Sequence, residues 1–374
     1  MPADESAHVP PVHPRRAAAD GPAEDREVPT LRASGPGEVL QVLPYLLGFH
    51  PEESVVLIAL RDRRILVSAR YDLKAPPEMA VPWMVAAGRE GATSILVVLY
   101  SATLDGPPLA HREHADRLAE LAADRELTLT DRLAVGADRW WSYDCSNRRC
   151  CPPEGTPIDR AGAAAVGAVA EGLVSLPRRS DLEAELAPLP GRVVQVSGAL
   201  ERADHDRPVD LSPEEHRARD WATVRRFVRE CERRQDPIPA DEAAAVLWAL
   251  RDLHVRDATL GHLVDGPQPQ VTRAWAELVQ MAPPLWRAPV ATLYAFWCYA
   301  AGQGARTNVG IEVALAADPD YSMAHLLDQV VGSGVHPQRF IPDLARECRP
   351  IARRIERRRP PGGRRRARRK RADG

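Results

Sequence analysis

The sequence predicts an α/β fold of the α+β kind: a mixed β-sheet with flanking helices in the N-terminal half, then an all-helical C-terminal half. Three observations carry this. Up to about residue 143, short apolar runs rich in β-branched residues alternate with segments of helical periodicity. From Arg160 onward nearly every segment has helical periodicity, broken by Gly and Pro. Between the two halves lies an unusual stretch, 136–158, holding Trp140-Trp141 and three of the six cysteines.

Taken in order, Gly35-Pro36-Gly37 introduces Val39, Leu40, Val42, Leu43, Leu46 and Leu47, which form one helix face closed by Gly48. Ser54–Leu60 is too short and too β-branched for a helix and is read as a buried strand. Polar Arg61–Arg64 turns the chain, and Ile65–Tyr71 returns as the second strand of a hairpin. A helix follows around Pro77–Arg89, with Pro82 confining its start. Ser94–Tyr100 is continuously apolar, as a strand covered on both faces should be. His111–Asp124 is a helix, Leu127–Val135 a fourth strand and Trp140–Tyr143 a fifth. No glycine-rich phosphate fingerprint follows any strand, which removes the usual sequence argument for a nucleotide-binding domain.

In the second half, helices are expected at Ala161–Leu173 and Ser180–Leu186, then a Pro/Gly/Asp-containing connector over 187–211. Ser212-Pro213-Glu214-Glu215 supplies an N-cap, a first-turn proline and acids that suit the helix dipole. That helix runs to about Arg234. Further helices are expected at Asp241–Leu253, Thr259–Leu263, Val271–Met281, Pro289–Ala301, Ala305–Ala317 and Ser322–Val331.

Several motifs within this frame resemble a known family. Cys145, Cys150-Cys151 and Pro152-Pro153-Glu154-Gly155-Thr156-Pro157 form the central block. Pro44–Ser54 lies before it, and Gly302-Gln303-Gly304-Ala305 with Asp318-Pro319-Asp320-Tyr321 after it. Together these blocks are similar to the domain-of-unknown-function family numbered 4192, over roughly residues 30–345. The resemblance implies an actinobacterial protein and brings no activity with it, so functional inference rests on the residues.

At 374 residues, with 44% hydrophobic and 27% charged, the chain is globular and long enough for two ordinary domains. The boundaries read as a disordered leader over 1–30, an α/β domain over 31–158, a helical domain over 159–345 and a basic, Arg-rich tail over 346–374. No window approaches the ~20 apolar residues of a membrane span, and the leader lacks the apolar segment of a secretory signal. Six cysteines in so long a chain then point to a reducing cytoplasm. Only Lys74 and Lys370 are lysines, a bias that a GC-rich genome explains. Charge placement says more. Residues 349–374 carry 13 basic and two acidic residues, net +11, leaving −13 on the rest of a chain whose total is −2.

The candidate site residues are His50, Arg70, Asp72, Asp144, Cys145, Cys150 and Cys151, expected near the junction of the two domains. Thiolates at 145, 150 and 151 suit zinc, but four intervening residues and then an adjacent pair is not the usual spacing, and no second Cys/His pair follows. A fourth ligand would have to come from elsewhere, for example His50; no cofactor is otherwise expected. Arg148 and Arg149 would favour thiolate and hence redox chemistry, with a Cys150–Cys151 disulfide strained and easily reduced. The plainest reading is a rigid loop with small gaps filled by sulfur. His50 sits in a turn leading into a strand, where α/β proteins place functional groups; it acts as base, as ligand or as a hydrogen bond for the loop. Arg70 and Asp72 end the second strand on one face, as an anion-binding pair or a salt-bridged edge. Gly302–Arg306 is either an anion cradle at a helix start or a glycine turn.

Three functional readings follow. The first is a non-catalytic ligand- or partner-binding regulatory protein. The second is a thiol-dependent or redox enzyme with His50 as base to one of the loop cysteines. The third is a weak, non-specific nucleic-acid contact through Arg364, Arg365, Arg366, Arg368, Arg369, Lys370 and Arg371. The tail contains no aromatic residue, so it lacks the means to stack on bases.

Overall fold

The longest apolar runs of the sequence become the centre of a sheet. In the computed structural model, which describes residues 35–357 apart from Arg63, helix α1 (Pro36–Leu47) precedes strands β1 (Ser54–Arg61) and β2 (Arg64–Asp72). Helix α2 (Val81–Arg89), β3 (Ser94–Tyr100), α3 (Arg112–Ala123), β4 (Thr128–Val135), β5 (Arg139–Ser142) and the two-residue β6 (Thr156–Pro157) follow. The strand order is β2-β1-β3-β4-β5-β6, with β3 and β4 parallel and every other neighbour antiparallel. The sheet is therefore mixed, as the sequence predicts, with β6 as an addition.

Strand alternation sends successive residues of β1 to opposite faces. Val56 and Ile58 join one buried cluster with Leu43 of α1, while Val55, Leu57 and Ala59 join another with Met84 of α2 and Leu118 of α3. The tryptophan pair divides the same way, Trp140 to the first cluster and Trp141 to the second. Both faces of the sheet are covered, which explains why β1 and β3 read as unbroken apolar runs.

The second half is helical: α4 (Ala163–Ala170), α5 (Arg179–Ala184), α6 (Pro190–His205), α7 (Pro213–Cys231), α8 (Ala240–Ala249), α9 (Leu253–Leu260), α10 (Pro269–Met281), α11 (Pro284–Ala300), α12 (Gly304–Ala317), α13 (Ser322–Gly332) and α14 (Pro337–Arg357). Its centre is Trp275 of α10 and Trp297 of α11, both fully buried, with Phe227 of α7 in ring contact with Trp275. The first sheet face belongs to the same continuous cluster as these helices. Gly310 lets α12 lie close on α11, since a Cβ there would stand 2.9 Å from the Ala295 side chain.

Several expectations need correction. The connector over 187–211 contains α6, a 16-residue helix. Its glycines and charges masked an i, i+3, i+4 set of buried residues, Val196, Ala199 and Leu200. Helix α11 starts at Pro284 and runs through Pro289. Proline there removes one amide donor, toward Leu285, whose residue is 94% exposed and so leaves that carbonyl to water. Asp252 caps α9 with its side chain and divides what reads as one helix over 241–253. Helix α14 carries the fold across the boundary expected at 345/346, burying Cys348 and Ile355. The leader over 1–30 and tail residues Arg364–Arg371 lie outside the described residues.

Ser212 caps α7 as expected, its hydroxyl accepting from the Glu215 amide while Glu215 returns to the Ser212 amide. At the far side of this layer His262 tilts against Trp221 at 5.7 Å. Burial, first of all, holds its pKa below the ordinary 6.5, with Arg225 and Arg229 adding to the effect against Asp265 and Glu356. Above pH 6.5 the ring is neutral in both folded and unfolded chains. Below it the unfolded chain protonates first, so stability falls with pH until the folded ring protonates as well. His262→Phe should flatten this fall. Its melting temperature should drop less than the wild type's between about pH 7.5 and 5.5, read by differential scanning calorimetry.

Candidate functional site

Strand register places the candidate residues at two ends of the sheet. Ser54 of β1 pairs with Tyr100 of β3, which pairs with Val135 of β4, which pairs with Trp140 of β5. His50, four residues before Ser54, belongs to this end. Ser142 of β5 pairs with Leu133, and Tyr143 donates to the Arg132 carbonyl, so the chain leaves β5 toward the opposite end. The cysteine loop lies there. His50 and the cysteines, juxtaposed in the enzyme reading, are separated by the run of β4.

His50 ties the two halves together. Its amide donates to the Leu176 carbonyl at 3.0 Å, next to a bridge between Phe49 and Leu176. Arg160 Nη1 lies 3.3 Å from Nδ1, and Ser175 Oγ lies 3.4 Å from Nε2. A guanidinium can only donate, so Nδ1 accepts and Nε2–H is the donor to Ser175. Burial and then Arg160 hold the ring below its ordinary pKa, against Glu52. Both ring nitrogens are thus engaged in structural bonds.

Arg70 and Asp72 make separate hydrogen bonds. Arg70 Nε donates to Ser54 Oγ at 2.7 Å and Nη2 to the Glu52 carbonyl at 3.4 Å. Asp72 accepts from the Lys74 amide at 2.9 Å in the turn after β2. Burial and the nearby Arg179 push Arg70 below the usual guanidinium range, with Asp72 and Glu312 opposing. Around Gly302 the structure has a glycine turn with φ +71, and Arg306 is committed to Glu185 by two bonds of 3.0 and 2.9 Å. The junction is stitched by paired side chains.

The thiol loop is built differently. Cys145 Sγ and Cys150 Sγ are 3.3 Å apart, and the sulfurs of Cys145, Cys150 and Cys151 all lie within 4.8 Å of one another. The Asn147 carbonyl accepts from the amides of both Cys150 (3.2 Å) and Cys151 (2.8 Å), while Asn147 Oδ1 accepts from Arg149 N at 3.0 Å. This tight turn brings the adjacent pair back over Cys145. The Cys145 amide donates to Ser142 Oγ, which donates to half-buried Asp131 at 2.7 Å. Beside it Arg132, its side chain only 11% exposed, binds both Asp116 and Asp144. Asp144 is thus an ion-pair partner that anchors the loop's first residues. On the returning strand Trp141 Nε1 donates to the Pro153 carbonyl at 3.0 Å, and Arg139 to the Gly155 carbonyl at 2.8 Å.

Cys150 is exposed and its two partners are half-buried, whereas Cys231, Cys298 and Cys348 are buried; all six are free thiols. Hydrogen bonds from Cys151 and Cys150 draw the Cys145 thiol below its ordinary pKa. Burial, with the neighbouring sulfurs, pushes Cys151 up to about 12. The neighbouring sulfurs therefore shift the two thiols in opposite directions, Cys145 down and Cys151 up.

A further network escapes sequence reading because its members span residues 53 to 111. At the C-terminal end of β3, Ser101 Oγ donates to the Glu53 carboxylate at 3.1 Å and contacts Thr103 Oγ1 at 3.0 Å. Thr103 Oγ1 in turn meets His111 Nε2 at 3.2 Å. Ser101 is 4% exposed, so a substrate has no route to its hydroxyl, and the chain of bonds fastens the loop after β3. Tyr71 Oη similarly meets His114 Nε2 at 3.0 Å. The one signal in the sequence is the His111/His114 pair, three apart at a helix start.

A covered mixed sheet with an appended helical layer, bearing a projecting three-thiol loop, defines the class of protein. The chain belongs to the family described as Domain of unknown function (DUF4192), which it matches over residues 36–338. No curated protein and no solved structure matches it. No helix among the described residues is long and apolar enough to cross a membrane.

Proposed function

We propose that this is a non-catalytic binding or regulatory protein whose recognition element is the loop of Cys145, Cys150 and Cys151. The convergence of three accessible sulfurs on one pinned turn carries the reading. Thiol catalysis on a Cys-His plan needs a base within hydrogen-bond reach of the sulfur. The histidine proposed for that part has both ring nitrogens bonded to Arg160 and Ser175 at the other end of the sheet. The paired side chains of the junction suit a rigid frame that holds the loop. The site thus sits on the loop, with the junction as its support.

Iodoacetamide kinetics on the reduced protein test this. Cys145 should be alkylated fastest, its rate rising with pH from below the ordinary thiol range, and His50→Ala should leave that profile unchanged. A fast thiol whose rate collapses in His50→Ala would establish the enzyme reading instead.

A further inference from the structure

Three sulfurs gather on one turn, within 4.8 Å of one another. Buried cysteines elsewhere in the chain serve as small hydrophobes, but Cys150 is exposed and contributes little to packing. The energy of the loop goes into placing its sulfurs. The Asn147 carbonyl fixes Cys150 and Cys151, Ser142 fixes Cys145, and Trp141, Arg139 and the β5–β6 pairing hold the return strand. Such support from outside the site is what a binding constellation requires.

We propose that Cys145, Cys150 and Cys151 form a three-thiolate site for a soft divalent metal ion of the zinc class, with a fourth position open to water or to a donor from a partner. The proposal rests on the loop being the recognition element and names its ligand. A zinc–sulfur bond of about 2.3 Å in tetrahedral geometry sets the sulfurs about 3.8 Å apart. Here they lie between 3.3 Å for the closest hydrogen-bonded pair and the 4.8 Å limit, so small side-chain rotations suffice. Thiolate ligands select such an ion over calcium or magnesium. Three thiolates and a dication give a complex of charge −1 and release up to three protons, so affinity should rise with pH. Arg148 and Arg149 lie in the turn between Cys145 and Cys150, so the segment that would carry that negative charge also contains two positive residues. Sites with three protein ligands keep the fourth position for exchangeable groups, the arrangement a sensor or a partner-dependent clasp needs.

Cobalt(II) titration of the full-length, reduced protein tests this, followed by competition with zinc(II). The expected result is one ion per chain, giving thiolate-to-cobalt charge transfer and the intense visible bands of a tetrahedral centre, both abolished by zinc. Cys145→Ser, Cys150→Ser and Cys151→Ser should each weaken cobalt binding by more than the ~10–100-fold typical of losing an outer partner of a metal ligand. A melting curve on each variant verifies that the fold persists. Absent charge transfer, weak octahedral bands, or binding that survives the triple Cys→Ser variant would overturn the metal site. The non-catalytic reading would still stand if alkylation remains independent of His50, and would fall on His50-dependent alkylation whatever cobalt does.

Discussion

Trp297→Ala is expected to lower the stability of the chain by about 3–5 kcal/mol, the usual cost of truncating a large buried aromatic residue. Trp297 is fully buried in α11, with its ring 5.6 Å from that of Trp275, which in turn stands 5.4 Å from Phe227. The hole opens where α7, α10 and α11 meet, and the rings around it are too large and too well held to close over it. The indole Nε1 of Trp297 has no hydrogen-bond partner, so the loss is one of volume and contact rather than of a polar bond. Trp297→Phe should therefore recover a substantial part of the stability. Because the first sheet face belongs to the same buried cluster, amide protons of β1 and β3 should exchange faster in the alanine variant. Hydrogen exchange read by mass spectrometry measures this. Loss of protection confined to the helical half would mean that the two halves unfold independently.

What the sequence makes legible is local. β1 and β3 are readable because a strand covered on both faces has nowhere to put a polar residue, so Val55–Ala59 and Ile95–Leu99 are unbroken apolar runs. The start of α7 is readable because a serine, a proline and a glutamate at the right spacing satisfy the first amides of a helix. α6 is hidden because its buried residues are few and its helix carries Gly191, Gly198 and several charges. Its inward face is set by what α8 and α10 present to it, which no local pattern encodes.

The site divides in the same way. Sequence names Cys145, Cys150 and Cys151 and suggests the adjacent pair as the reactive one. The turn around Asn147 instead brings Cys145 and Cys150 into contact. Sequence also offers His50 as base to one of the loop cysteines, on the Cys-His plan of thiol catalysis. Their separation depends on how β1, β3, β4 and β5 are registered, a set of pairings between residues as far apart as Ser54 and Tyr100. Such non-local pairing decides which ends of strands meet, and composition does not record it.

Gly155→Ala is the sharpest test of how the thiol loop is held. Gly155 has φ +77, a left-handed conformation that costs a residue with a Cβ about 1–2 kcal/mol. The same Cβ would lie 2.5–2.8 Å from three atoms of the Trp141 indole, closer than any real contact allows. Trp141 is 6% exposed and fixed by its bond to the Pro153 carbonyl, so the ring cannot move aside without breaking the bond that closes the loop. Overpacking of this kind costs about 1–3 kcal/mol more. The variant should lose about 2–5 kcal/mol in all, and Trp141 fluorescence should shift as the indole is displaced. If the return strand positions the sulfurs, the three cysteines should also become alike in their reactivity toward iodoacetamide, because Cys145 loses the neighbours that lower its pKa. A variant that melts earlier but keeps one fast thiol would show that the turn around Asn147 arranges the sulfurs by itself, with Trp141 and Gly155 contributing only to stability.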